Sequence, residues 1–196
     1  MHKFIKTIIV LIIPLSLLNA CGGEDYTPKE RTYFRIALPK KEYQSFDTTF
    51  PYSFEYSKSA KILRDDRSNA DKYWINVEYP QFNATLHISY KVVTNNLANY
   101  FEDARNFANK HMSKATAIKE KTYYDEPNHV YGIVYDIKGT NVASTYQFIV
   151  TDSTHNFLRG ALYFNSVPNN DSLSPVIDFI KQDIDHLINT FRWKKI

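Results

Sequence analysis

Apolar residues alternate with polar ones through most of this chain, and in two places the period lengthens to three and four. Thr32-Tyr33-Phe34-Arg35-Ile36-Ala37-Leu38 predicts a first strand closed by Pro39, followed by a polar loop. Tyr52-Ser53-Phe54-Glu55-Tyr56 predicts the next strand. Tyr73, Ile75, Val77 and Tyr79 alternate with Trp74, Asn76 and Glu78; beyond Pro80, Phe82, Ala84, Leu86, Ile88, Tyr90 and Val92 share one face. Asn83, Thr85, His87, Ser89 and Lys91 take the other face, so these two segments read as an antiparallel hairpin with one side on a core. From Asn95 to about Met112 the repeat of Leu97, Tyr100, Phe101, Ala104, Phe107, Ala108 and His111 predicts an amphipathic helix.

Four more strands are expected at Thr116 to Tyr124, Tyr131 to Ile137, Val142 to Val150 and Phe157 to Phe164. The turn residues between them imply a consecutive antiparallel meander. Ser174-Pro175 reads as the start of a last helix, with Ser as N-cap and Pro at the first helical position. Its stripe is Ile177, Ile180, Ile184, Leu187, Ile188 and Phe191, with Asp178, Lys181, Asp183 and Asp185 off it. The fold class is therefore α+β, an antiparallel β-sheet with two main helices packed on it, similar in element order to the Mog1/PsbP architecture.

The first residues follow another logic. His2, Lys3 and Lys6 precede an almost uncharged run from Thr7 to Leu18, the charged and apolar regions of a secretory signal. That run is too short to span a bilayer, which takes about 20 apolar residues. Leu18-Asn19-Ala20-Cys21 completes a bacterial lipoprotein pattern, in which the peptide is cut before Cys21 and the thiol is acylated. The expected organisation is a signal peptide at 1–20, a flexible tether at 21–31 and a single α+β domain at 32–196. Several acyl chains on Cys21, such as palmitate, hold firmly to a membrane where one would bind only marginally.

Charge and cysteine count narrow the classes. Without Lys3 and Lys6 the chain keeps 22 basic residues against 21 acidic ones, a balance that argues against nucleic acid as a partner. Its 1 Cys permits no internal disulfide, so stability has to come from packing, for which 15 Tyr and 13 Phe supply large areas.

Candidate chemistry is sparse. His87, His111, His129, His155 and His186 have no metal-ligand spacing, the 5 Gly form no phosphate-cradling loop, and there is no Gly-x-Ser-x-Gly elbow. No catalytic residue, cofactor or metal is expected. The acidic pairs Asp65-Asp66 and Asp183 with Asp185 read as solvated. Arg159, inside an apolar strand, reads as a snorkelling or paired guanidinium rather than an anion site. Tyr33, Tyr43, Trp74 and Trp193 could instead stack on sugars. Asp47-Thr48-Thr49, Asp152-Ser153-Thr154 and Asp171-Ser172-Leu173 match short acceptors of a bacterial O-glycosylation system.

Pro28 to Ile36, Leu38-Pro39, Pro51 to Tyr56, Thr151-Asp152-Ser153, Phe157 to Phe164 and Thr190 to Lys194 together resemble the gliding-motility lipoprotein GldD family. The resemblance implies a non-enzymatic lipoprotein, an accessory or scaffold of the envelope machinery for surface gliding and type IX secretion, and it brings no catalytic residues. It places the protein in the cell envelope, anchored through Cys21, with the outer membrane favoured and the domain periplasmic or surface-facing. Its partners would be other envelope lipoproteins or gliding and secretion components. Arg35, Trp74, Arg159 and Trp193 are the residues expected to mediate interaction. The rival is a glycan- or peptidoglycan-binding envelope lipoprotein.

Overall fold

A computed structural model describes residues 36–195. Ten strands and two main helices occur among them: β1 (Tyr43–Phe46), β2 (Tyr52–Ser57), β3 (Lys61–Arg64), β4 (Ile75–Tyr79), β5 (Ala84–Val92), α1 (Leu97–Asn109), β6 (Ala117–Asp125), β7 (Val130–Lys138), β8 (Tyr146–Thr151), β9 (Asn156–Phe164), α2 (Asn170–Thr190) and β10 (Arg192–Trp193). The large sheet is antiparallel in the order β3-β4-β5-β9-β8-β7-β6, and a small sheet has the order β1-β2-β10. The class is α+β, as the residue pattern implies.

Two meanders build the large sheet, β3-β4-β5 and β6-β7-β8-β9. They join where β5 pairs with β9 along its whole length, Ala84 opposite Phe164 through Val92 opposite Asn156. The hairpins β4–β5 and β6–β7 share one turn chemistry. Pro80 and Pro127 each lie in a 3₁₀ turn, and Asn83 (φ 49°) and His129 (φ 51°) close it in the left-handed region. Both residue types enter that region more readily than bulky or branched ones.

Strand alternation separates two layers. Ile75, Val77, Leu86, Ile88, Phe148, Leu158 and Leu162 point to one face, where α2 buries Phe179, Ile180, Ile184 and Leu187 against them. Phe54, Tyr52 and Phe191 stack at its end, joining the small sheet to the same core. On the opposite face α1 covers only part of the sheet, packing Ala104 and Ala108 near Ile149, Phe157, Tyr135 and Ile137. Gly160 is needed on the α2 side because a Cβ there would lie 2.2 Å from the Phe148 ring.

Several expectations need correction. Of the strand anticipated at 32–38, residues 32–35 lie outside the described residues and Ile36–Leu38 are irregular; the strand forms instead at β1, within the segment read as a polar loop. β3 was not anticipated, since Lys61–Arg64 carries too little apolar alternation to signal a strand. Strand β8 starts at Tyr146, while Val142 sits buried in the α1 cluster, and α1 ends at Asn109 rather than near Met112. Helix α2 starts at Asn170, before Ser174-Pro175. Asn170 donates from Nδ2 to the carbonyls of Gly139 (2.7 Å) and Val142 (2.9 Å), so tertiary contacts set the start and Pro175 falls inside the helix.

The largest correction concerns charge. Asp183 is 1% exposed, in the middle of the α2 face that meets the core. Lys41 Nζ reaches it at 2.6 Å, also bonds the Phe179 carbonyl at 2.5 Å and lies 3.4 Å from the centre of the Phe179 ring. Tyr43 donates to the same carboxylate at 3.2 Å, and burial together with that charge pushes its phenol up to about 12. Asp185 is engaged too, accepting from Tyr146 at 2.6 Å. The Asp65 side chain is covered and held by Arg67, whose guanidinium keeps the carboxyl below its ordinary range despite burial.

Two substitutions and one control test this packing by urea unfolding. Ile184→Ala should cost about 2–5 kcal/mol, since the side chain is fully enclosed, and an unshifted midpoint would mean that this face of α2 does not carry the core. Lys41→Ala should cost about 3 kcal/mol by stranding a buried carboxylate, whereas Lys40→Ala, 88% exposed in its side chain, should change stability little; equal effects would refute the role given to Lys41.

Candidate functional site

The part of the sheet that α1 leaves uncovered is the polar side of β4, β5 and β9. Because residues alternate along a strand, the face that sends Leu86 and Ile88 into the core must send His87, Ser89 and Lys91 the other way. The same alternation in β9 presents Arg159, Ala161 and Tyr163 beside them. Tyr100, Asp103 and Phe107 from α1 form one wall, and Trp74 and Arg67 from the segment before β4 form the other. Together they line a groove of about 540 Å³.

Its polar groups differ in how they are partnered. Arg67 is paired with Asp65, and Lys91 with Asp71 at 2.5 Å, its ammonium 4.9 Å from the Trp74 ring centre. Arg159 has a different arrangement. It donates to the Gln147 Oε1 at 2.6 Å and lies 4.7 Å from the Phe107 ring centre, with no ion pair to a carboxylate among the described residues. Burial lowers its pKa, partly offset by Tyr163, although a guanidinium stays protonated at any physiological pH. His87 Nδ1 lies 2.7 Å from Asn76 Oδ1, and burial with the nearby Arg67 charge lowers its pKa. The neutral ring then donates from Nδ1 and keeps Nε2 as an acceptor.

Trp74 and Arg159 are thus brought to one groove. Trp74 is fixed there by its indole N–H, 2.8 Å from the Tyr90 carbonyl. Trp193 is elsewhere, in β10, with its ring edge-on to Phe191 at 4.7 Å. It borders a broader cleft of about 820 Å³ lined also by His129, His155 and Lys194. The carboxylate of that cleft, Asp152, is taken up by its own turn, accepting from the amides of Thr154, His155 and Asn156. Tyr43 stacks on His186 at 3.6 Å within the α2 layer, so it does not join Trp74 on a common surface. Cys21, Tyr33 and Arg35 lie outside the described residues. Among the described residues no group of three His, Cys, Asp or Glu side chains is placed to hold a metal ion. The residue pattern did not mark His87, Tyr100, Phe107 and Tyr163 as groove residues; the available signal was the face of β5 turned away from the core, which carries His87, Ser89 and Lys91.

Comparison with known proteins decides the family. The model of the family described as gliding motility lipoprotein GldD matches residues 23–193. The chain belongs to the GldD family. Membership makes it a gliding-motility lipoprotein, anchored to a membrane of the cell envelope, and no described helix is long and apolar enough to cross a bilayer. No curated protein matches the chain. Among solved structures it is similar to the solution structure of cyanobacterial PsbP (CyanoP) from Synechocystis sp. PCC 6803, with 10% identity, 82% of this chain and 98% of that chain covered, and a TM-score of 0.49. Within this GldD-family chain the groove lies on the sheet face opposite α2.

The groove makes one electrostatic prediction. Proton NMR of the His87 ring should give a midpoint below 6.5, because burial and cationic neighbours disfavour the charged form. A folded-state value below the unfolded one adds stability above the unfolded pKa that is lost as pH falls through this window. A His87 midpoint at or above 6.5 would contradict this.

Proposed function

We propose that this protein is a non-enzymatic accessory of the gliding motility and type IX secretion machinery, held to the membrane through acylated Cys21 and acting by keeping its folded domain close to other envelope proteins. The observation that carries the reading is the family match over residues 23–193, which starts just after the lone Cys. Two further features support it. The 20 residue-to-residue steps from Cys21 to Lys41 can reach no farther than about 70 Å even if fully extended, so a domain so tethered samples a small volume and meets its partners at high effective concentration. Where the chain enters, Lys41 is clamped to α2 and β1 is paired along its length with β2, so the domain is firmly held by the end that leads to the anchor.

On this reading the outer membrane is the favoured location, and Trp74, Arg159, Trp193 and Arg35 remain the residues proposed for interaction. The test is fractionation combined with crosslinking in the native envelope. Wild-type protein should sediment with membranes and crosslink to a small, reproducible set of envelope components. Cys21→Ala should move the protein to the soluble fraction and lose those crosslinks. Persistent membrane sedimentation of that variant would refute the anchor, and a crosslinking pattern independent of Cys21 would refute tethering as the mechanism.

A further inference from the structure

We infer that the groove between α1 and the β5-β9 face binds a carboxylate-bearing sugar, with Arg159 as the carboxylate receptor and the surrounding rings as sugar platforms. The inference rests on the groove alone and does not depend on the lipid anchor.

The pairing of the charges selects the ligand. Three cations line the groove, but Arg67 and Lys91 are already paired with Asp65 and Asp71. Arg159 is the one left with neutral partners, the Gln147 carbonyl oxygen and the Phe107 ring. Asp103 on the α1 wall adds a negative charge near the rim. One guanidinium without a counterion, with an acidic residue in the same groove, suits a monoanion better than a phosphate dianion. Guanidinium geometry matches a carboxylate through two parallel N–H donors.

The rest of the lining fits a carbohydrate better than a purely apolar acid. Trp74 and Phe107 stand on the two walls, and Tyr100 and Tyr163 add phenols that combine an apolar ring with a hydroxyl. His87, 5.7 Å from the Tyr163 ring centre, offers a neutral acceptor for a sugar hydroxyl. A cavity of about 540 Å³ is in the range of small-ligand sites and would take on the order of two or three sugar rings. Phe107, 44% exposed despite its size, is the ring such a ligand would cover.

The experiment uses the full-length protein in detergent micelles and isothermal titration calorimetry with trigalacturonate and a hyaluronan tetrasaccharide. At least one should bind with a Kd below about 1 mM. The fully methyl-esterified trigalacturonate, which keeps the rings and loses the charge, and Arg159→Gln should each weaken that binding by about tenfold or more. Phe107→Ala should weaken it several-fold, and Lys119→Gln, on edge strand β6 away from the groove, should leave it unchanged. Because Arg159→Gln could fail to fold, melting is followed in parallel, and the ester comparison on wild-type protein stands without it. The inference is overturned if neither acidic oligosaccharide binds, if the ester or a folded Arg159→Gln binds as tightly, or if the peptide Ala-Ala-Glu competes equally, which would make the groove a reader of peptide carboxylates.

Discussion

A carboxylate buried in the middle of a helix's apolar face is the constraint around which the α2 layer is arranged. Removing Asp183 from water costs several kcal/mol unless charge and hydrogen bonds replace hydration. Lys41 and Tyr43 do so at Oδ1, while Oδ2 has no hydrogen-bond partner among the described residues; both come from the segment that enters the domain, more than a hundred positions away along the chain. The ion pair therefore fixes where β1 lies, β1 pairs with β2, and β2 brings Tyr52 and Phe54 onto Phe191 at the end of α2. One buried charge thus links the start of the domain, the small sheet and the last helix.

The two faces of the large sheet are covered differently. On the α2 side the apolar residues of β4, β5, β8 and β9 meet a continuous stripe, and the close approach at Gly160 leaves no spare volume. On the other side the shorter α1 packs over β7, β8 and the start of β9 and stops short of β4 and β5. A sheet that is wider than its covering helix leaves a groove at the helix edge, and the residues there are polar or amphipathic because they face water. The position of Arg159 follows from the same geometry: it sits on β9 at the boundary, close enough to α1 to lie on Phe107 and far enough from it to reach the open side.

Much of this was legible from residue order, for particular reasons. The strict alternation from Ala84 to Tyr90 and the stripe from Ile177 to Phe191 each bury one face, so their periods report the fold directly. What escaped were features set by distant partners. Asp183 reads as solvated because nothing adjacent in sequence announces Lys41. The early start of α2 depends on the β7–β8 loop accepting from Asn170, and β1 and β3 are short strands whose identity comes from the neighbours they pair with. The groove was half visible: Trp74 and Arg159 drew notice as unusual residues, but only the pairing of β5 with β9 puts His87 and Tyr163 beside them.

The clasp at Lys41 also settles a question of geometry. It docks on α2, whereas the groove opens on the reverse side of the sheet, so the residues that pin the start of β1 and the residues that line the groove belong to different layers. The point where the described chain joins the body and the opening of the groove are in this way separate surfaces of a single small body.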